Sequence, residues 1–481
     1  MKVTATQQKI TALYESWAKE PVTSILPLTR TASNRDYFRI QSANKNAIGT
    51  YGPDPRENKA FVSFTKHFYQ KGLPVPELYA ADLEQQIYIQ EDLGATTLYS
   101  FLLQNKNDFS EPLMGMYKKV LSGLASMQIE GTKGLDYEQA YPRADFDAQS
   151  MLWDLNGFKY FFLKLAGITF DEQALETDFT TLINFLLTAD RSYFLYRDFQ
   201  ARNIMLKKGA PYFIDYQGGR RGALHYDVAS LLFQPKAGIP FVVREELVAY
   251  YLEVISKMIT VDQKKFMEYF YGYVLVRRIQ AFGTYGLRGL HERREYFINS
   301  LPLALQDIKW VLDNKNLPIE TPELLRVLRL AIDDPRFQPS GQQPNNEFLT
   351  VRINSFSYKF GHPEDPSGNG GGFVFDCRFI HNPGRYEPYK KLTGRDESVI
   401  SFLKENSNMA DYLNNVYHIV DEAVENYIER SFTNLMVSFG CTGGQHRSVY
   451  GADMLAAHLR QKYGVKVVLT HIRQEEKGWK N

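Results

Sequence analysis

Two cysteines among 481 residues cannot build a disulfide framework, so nothing in the chain points to an oxidising compartment. No apolar run approaches membrane-spanning length, and the opening residues MKVTATQQKITALYESW lack the apolar core of a secretion signal. An excess of one charge is also missing. The 56 Lys+Arg face 55 Asp+Glu, a formal net charge of +1, which argues against a protein whose main task is coating nucleic acid or anionic membrane. What is present is ordinary globular composition, 44% hydrophobic and 23% charged, and this excludes global disorder. At about 100–200 residues per domain, the length implies a multidomain protein. The expectation is a soluble, cytoplasmic chain with no membrane partner.

Histidine divides the chain. Only His67, His225 and His291 precede residue 349; the other six histidines and both cysteines follow it. A stretch rich in Pro, Gln, Asn and Gly, DDPRFQPSGQQPNNEF, lies at the change and reads as a linker. The expected organisation is a domain over 1–335, a linker over 336–348 and a second domain over 349–481.

In the first part, TSILPL, DYFRIQ and NAIGTYG read as a strand meander, and ENKAFVSFTKHFYQKG reads as a helix stopped at Gly72. IYIQEDLG reads as a strand entering a linker. Helical, aromatic-rich periodicity fills 95–190 and 241–330. Between them NIMLKK and PYFIDY read as two strands flanking a Gly-Ala-Pro turn. Strands first, then helices around a small hairpin, give an α+β fold. Within that unit Asp198 is followed by Asn203 five residues on and by Asp215 twelve further. Phosphoryl transfer needs a carboxylate to position or deprotonate an acceptor hydroxyl, and oxygen ligands to hold magnesium against nucleotide phosphates. D-x4-N with I-D on the next strand supplies both.

YRDFQARNIM and FIDYQ resemble the aminoglycoside phosphotransferase and choline kinase class of protein-kinase-like enzymes. SNRDYFRI, GLPVPELYAAD, IQEDLG and YDVASLL resemble, within it, the AmgK-type cell-wall sugar kinases, which phosphorylate N-acetylmuramate or N-acetylglucosamine during peptidoglycan recycling. The resemblance covers about residues 5–330. It implies ATP and Mg2+ as cofactors, Asp198 as catalytic base, and Asn203 and Asp215 as magnesium ligands. It further implies that Ser33, Asn34 and Arg35 form a phosphate-covering turn, that Glu91, Asp92 and Leu93 form the adenine-side hinge, and that Asp227 braces the catalytic loop. Two departures stand out. Arg197 precedes the catalytic Asp where His is frequent, and NAIGTYG carries no lysine where kinases place the phosphate-binding one. Arg35, Arg39 or Arg56 could supply that charge; the alternative is a non-catalytic, metabolite-gated adapter for RNA or protein. In RADFDAQSMLWDLNGFKYFF, an amphipathic helix burying Trp153, Phe158, Phe161 and Phe162 is expected, with Asp154 as the residue to test against a sugar.

The second part alternates strand and helix signals: VRINSFSYKFG, GGGFVFDCRF, NLMVSFGC and VKVVLTHI as strands, with RDESVISFLKEN, NMADYLNNVYHIVDEAVENYIERS and SVYGADMLAAHLRQKYG as helices. This is an α/β pattern of the kind that binds anions at a helix N-terminus. The loop from Cys441 to Ser448, CTGGQHRS, is the sharpest motif of the chain. Its glycines free backbone N–H groups, Arg447 offers a planar fork, and Thr442 and Ser448 offer hydroxyls. A phosphate-ester pocket and a cysteine phosphatase both fit C-x5-R.

FSYKFGHP, FDCRFIHNP, LTGRDESVISFL and GCTGGQHRSVY resemble the C-terminal domain of the RNase adapter RapZ family over nearly all of 349–481. The resemblance implies sensing of glucosamine-6-phosphate and binding of a small RNA. It implies a sugar-phosphate pocket lined by Asp376, Arg378, His381, Cys441, Thr442, Gly443, His446 and Arg447. Partners implied are an amino sugar, its phosphate and a sugar-phosphate nucleotidyltransferase of the same pathway. RapZ proteins carry a P-loop domain in front, and this chain has no G-x4-G-K-[ST]. With 16 Lys+Arg against 15 Asp+Glu from 349 onward, the electrostatic footprint for RNA is missing, so ligand sensing is carried over ahead of RNA binding.

Overall fold

Short β-branched and aromatic runs broken by polar turns become strands β1 (Ser24–Pro27), β2 (Asp36–Gln41), β3 (Asn46–Tyr51), β4 (Leu78–Asp82) and β5 (Ile87–Gln90). They form one antiparallel sheet in the order β1-β2-β3-β5-β4. Its residues belong to a computed structural model that describes 4–28, 35–105, 107–338, 349–368, 370–429, 432–463, 465–476 and 478. The chain forms two units, Met1–Gln338 and Pro339–Asn481.

Side chains alternate across β5. Ile87 and Ile89 join Ile10 and Tyr14 of the Ala5–Ala18 helix in one cluster, while Tyr88 faces the Pro55–Gln70 helix through Phe61. That helix starts where Pro55 follows an Asp54 cap, whose carboxylate accepts the Arg56 N–H. Phe61, Phe64 and Phe68 form its buried stripe.

Helices dominate the rest of the first unit, including Glu111–Ile129, Ala148–Phe158, Glu172–Leu187, Phe241–Ser256, Gln263–Tyr285, Leu301–Asn314 and Pro322–Asp333. Between them β6 (Tyr193–Leu195) pairs with β9 (Arg220–Gly222), and β7 (Ile204–Lys207) with β8 (Ala210–Phe213). This is the expected α+β arrangement. Two local expectations fail. The β7–β8 turn is made by Lys208 and Gly209, both at positive φ, with Ala210 and Pro211 already in the strand, because a two-residue loop with both residues left-handed matches strand twist. Phe158 and Phe162 are fully buried, but Trp153 and Phe161 are 47% and 44% exposed; Trp153 lies on the outer face of the regular Ala148–Phe158 helix, and a wide π-helical turn over Lys159–Leu163 breaks the 3.6-residue stripe at Phe161.

The second unit has an all-parallel sheet ordered β11-β12-β10-β13, from β10 (Thr350–Ser357), β11 (Phe373–Asp376), β12 (Asn434–Cys441) and β13 (Lys466–His471). Central β12 is buried from Leu435 to Cys441, as a strand covered on both faces must be. Register sets Ser357 beside Cys441 and Asp376 beside Gly440. The carboxyl ends of the strands, where α/β sheets bind ligands, therefore gather these residues. The Arg447–Lys462 helix follows from that edge. Among the described residues, no helix is long and apolar enough to cross a membrane.

Candidate active site and anion-binding loop

The three residues of the first unit expected to serve phosphoryl transfer converge around Asn203. Its side-chain amide donates to the Asp198 carbonyl at 2.9 Å and to the Asp215 carboxylate at 3.2 Å. Asp198 and Asp215 are thus joined through one amide, although seventeen positions separate them. Asp215 also accepts the Gln217 amide at 2.7 Å and sits at φ +72°, in the strained region where functional side chains are often aimed. Burial, with Asp198 nearby, raises its carboxyl to about 6. A buried carboxylate short of countercharge is what a divalent cation neutralises. No group of three or more His, Cys, Asp or Glu able to hold a metal occurs among the described residues. One Asn and one Asp suit magnesium, which keeps water and phosphate oxygens as its remaining ligands.

Asp198 itself is half exposed, with the buried Arg277 guanidinium 3.6 Å away. The loop behind it is pinned twice. Asp227, fully buried, accepts the backbone N–H groups of Tyr196 and Arg197 at 2.8 and 3.0 Å, and the Gln128 amide at 3.1 Å. Arg197 forms a two-pronged pair with Asp154 at 2.6 and 2.8 Å, bonds the Tyr226 hydroxyl, and lies over the Phe146 ring. Asp154, the residue to test against a sugar, is instead paired with Arg197 in the loop that carries Asp198.

The sheet side of the site is held by Tyr216, the residue after Asp215. Its ring packs on Phe61 and Phe68, and its hydroxyl bonds Thr65, all from the Pro55–Gln70 helix. The same helix presents Glu57, 3.3 Å from the guanidinium of Arg35, which is 2% exposed. Burial opposes that charge, but Tyr88, Tyr37, Glu57 and Asp215 outweigh it and hold Arg35 above its usual value. Ser33 and Asn34 lie outside the described residues. Arg39 is engaged elsewhere, bonding Asp92 at 2.7 and 3.1 Å and the Gly94 carbonyl, while Arg56 is 67% exposed on Asp54. At the hinge Glu91 pairs with Lys207 and Leu93 is buried, so both acidic side chains of the hinge are paired within the protein.

In the second unit the sulfur of Cys441 lies in its own loop's cradle, accepting the Gly444 N–H at 3.2 Å with the Ser448 hydroxyl at 3.1 Å. Burial works against the thiolate, yet Ser448, the Arg447 charge and the Gln445 N–H outweigh it and lower the thiol below its ordinary value. Gly444 has φ +65°, and a Cβ there would come within 2.7 Å of Arg473 and 3.1 Å of Ser357, so the loop requires glycine. Ser357 closes the turn by donating to the Thr442 carbonyl at 2.7 Å. Gly443 is exposed and has open space beside it.

The remaining pocket candidates fall into two groups. Arg447 donates to the carbonyls of Arg378 and Ile380 at 2.8 Å, and Arg378 is clamped on Asp376 while lying over the Tyr358 ring. These residues gather near Cys441. His381 and His446 do not offer free rings. His381 bonds the Asn406 carbonyl and the Tyr386 hydroxyl through its two nitrogens. His446 bonds the Tyr389 carbonyl at 2.9 Å, and burial lowers its pKa. His381 packs against Tyr386 and Phe402, and His446 is held by the Tyr389 carbonyl, in place of the expected reach towards a ligand. Sequence reasoning passed over Glu57, Tyr216, Arg277 and Ser357; only Tyr216 carried a signal, its position next to Asp215.

Residues 24–258 match the sequence profile of the phosphotransferase enzyme family, and residues 349–475 match that of the RapZ C-terminal domain. The chain joins a phosphotransferase-family domain to a RapZ C-terminal domain. Similar curated proteins include a "nucleotide-binding protein" of Endomicrobium trichonymphae, 35% identical over 33% of this chain and 50% of its own length. Another, of Thermosipho africanus, is 40% identical over 25% of this chain and 41% of its own. The chain thus spans about half the length of the curated relatives it matches. Among solved structures, choline kinase LicA from Streptococcus pneumoniae is 16% identical, covering 64% of this chain and 99% of its own with a TM-score of 0.43. A choline kinase from Cryptosporidium parvum is 14% identical, covering 68% and 97% with a TM-score of 0.45.

Proposed function

We propose that the first unit is an ATP- and magnesium-dependent kinase that phosphorylates a hydroxyl of an amino sugar, such as N-acetylmuramate or N-acetylglucosamine. The observation that carries this is the pair of hydrogen bonds that the Asn203 amide donates, one to the Asp198 backbone carbonyl and one to the Asp215 carboxylate. A half-exposed carboxylate for the acceptor beside two oxygen donors for a cation is the minimum that phosphoryl transfer demands, and this supports the reading. Asn203 and Asp215 would hold magnesium, which neutralises charge on the transferred phosphoryl group. Asp198 orients the acceptor hydroxyl and takes its proton, while Asp227 and Asp154 keep the loop that carries it in place. The Glu91–Leu93 hinge receives the adenine. The choice of an amino sugar rests on the resemblance to AmgK-type enzymes.

The second unit, in the same reading, binds the phosphate of an amino-sugar phosphate at Thr442, Gly443 and the start of the Arg447–Lys462 helix, and shares the chain with the kinase as a sensor. RNA and a sugar-phosphate nucleotidyltransferase are partners to test alongside it. The deciding experiment is ATP consumption by the full chain against a panel of amino sugars, aminoglycosides and choline. Turnover with N-acetylmuramate or N-acetylglucosamine is expected, and lost in Asp198→Ala with ATP binding kept. If every acceptor leaves ATP untouched, the kinase reading fails and a non-catalytic adapter takes its place.

A further inference from the structure

We infer that Cys377 and Cys441, the two cysteines of the chain, form a reversible disulfide under peroxide, and that closing it loosens the loop that grips phosphate. The disulfide goes beyond the proposed sensor role; its effect on ligand binding rests on that reading. Register brings the two residues level. β11 and β12 run parallel with Asp376 beside Gly440, and the Cys377 N–H donates to the Gly440 carbonyl at 2.8 Å. In a parallel ladder that is the bond made by the residue opposite Cys441. Level residues of neighbouring strands point to the same face and lie about 4.8 Å apart, inside the roughly 4.4–6.8 Å that the Cα atoms of a disulfide span. Both are free thiols, 0% and 2% exposed, in one apolar cluster.

Their surroundings differ as an attacking and a resolving thiol require. The Cys441 sulfur accepts the Gly444 N–H and meets the Ser448 hydroxyl, a cradle that favours thiolate. Thr442 and Gly443, which follow it, are exposed, with open space beside Gly443, so an oxidant little larger than water has its approach at the mouth of the loop. Burial instead raises the Cys377 thiol. Its sulfur's polar contacts are long, 3.7 Å to the Tyr412 hydroxyl and 3.9 Å to the Phe375 carbonyl, and turning towards Cys441 gives up little. The Cys441 thiolate attacks a peroxide oxygen and the O–O bond breaks. A sulfenic acid forms, and the departing hydroxide leaves as water with the proton that the thiol had released. The Cys377 sulfur then attacks the Cys441 sulfur and the S–O bond breaks, the second hydroxide taking the Cys377 proton to leave as water. The two sulfurs are oxidised by two electrons and peroxide is reduced by two. Cβ atoms of level strands lie farther apart than the roughly 3.5–4.5 Å usual in a disulfide, so the bridge is strained and easily reduced, which suits a switch rather than a staple. Closing it takes the sulfur away from Gly444 and Ser448 and leaves both donors of the loop without their acceptor.

The experiment treats the reduced full chain with hydrogen peroxide in native buffer, alkylates the remaining thiols after unfolding, and maps peptides by mass spectrometry for wild type, Cys377→Ala and Cys441→Ser. Wild type should lose both thiols together to one bridge within the chain, which dithiothreitol reverses. Cys377→Ala should stop at a sulfenic acid that dimedone traps, and Cys441→Ser should keep Cys377 reduced. The same wild-type samples are titrated with glucosamine-6-phosphate and with inorganic phosphate. Bridging should weaken binding by about tenfold or more, the effect of losing one hydrogen bond, and reduction should restore it. Thiols that stay free, bridges that join two chains, or a sulfinic acid on Cys441 with Cys377 untouched each overturn the disulfide. Equal affinities of bridged and reduced wild type overturn the loosening of the loop. If Cys377→Ala does not fold, the wild-type peptide map decides. If the bridge forms but reduced wild type binds neither probe, the sensor reading falls and the disulfide stands.

Discussion

Replacing Asp227 removes the acceptor for three donors at once, which makes its cost calculable from the geometry. The carboxylate is fully buried and takes the Tyr196 and Gln128 N–H groups on one oxygen and the Arg197 N–H on the other. In Asp227→Ala all three lose their partner, and a buried orphan donor costs roughly 1–3 kcal/mol. Water entering the vacated space recovers part of that, so a loss of about 3–5 kcal/mol is expected. In Asp227→Asn the amide oxygen can serve Tyr196 and Gln128, while the amide N–H2 faces Arg197; one donor is lost, for about 1–3 kcal/mol. Urea unfolding followed by tryptophan fluorescence reads this cleanly, because Trp17, Trp153 and Trp310 fall in the first unit and only Trp479 outside it. The two values must differ. If the alanine variant loses less than about 1 kcal/mol, or the asparagine variant costs as much as alanine, hydrogen-bond accounting at this residue is wrong.

Other outcomes follow from the same structure. His225 is buried between Phe266 and Tyr273, and burial lowers its pKa to about 3. An unfolded histidine titrates near 6.5, so it binds the proton first as pH falls. The stability of neutral His225 is whole above pH 6.5 and declines by about 1.4 kcal/mol per unit down towards pH 3; His225→Phe should flatten that slope in urea titrations at pH 7 and 5, and equal slopes would refute it. Asp154→Ala leaves Arg197 without its carboxylate, so a loss of about 3 kcal/mol is expected on the scale of a broken buried pair, together with slower turnover; a fall in sugar affinity alone would return Asp154 to the acceptor site. For the second unit, calorimetric titration with glucosamine-6-phosphate should show binding that Arg447→Ala abolishes and Cys441→Ser weakens less. Indistinguishable titrations of wild type and Arg447→Ala would remove the pocket.

What could be read from the sequence was local. Alternation in DYFRIQ and the run NLMVSFGC identified β2 and β12, and the spacing of Asp198, Asn203 and Asp215 selected three residues that one amide does join. Pairings that depend on tertiary packing were invisible. Arg197 meets Asp154 across 43 positions and Arg35 meets Glu57 across a hairpin, and no periodicity encodes which buried charge finds which partner. The apolar spacing around Trp153 and Phe161 showed a stripe but not which part a neighbour covers, and the wide turn at Lys159–Leu163 broke its phase. The histidines of the second unit misled for another reason: an imidazole serves carbonyls and hydroxyls as readily as phosphate.

The pair between Arg197 and Asp154 also fixes how the site responds to proton concentration. A histidine before the catalytic aspartate gains and loses its charge near neutrality, and its grip on neighbouring groups changes with it. Arg197 is always protonated, and Asp154, Tyr226 and Asp198 push its pKa still higher against the pull of burial. This clamp therefore carries no imidazole titration; the brace of the Asp198 loop that does respond near neutrality is Asp227, whose burial raises its carboxyl to about 7. A bend in a rate profile near neutral pH then points to Asp227 and the reacting groups, not to the residue that precedes Asp198.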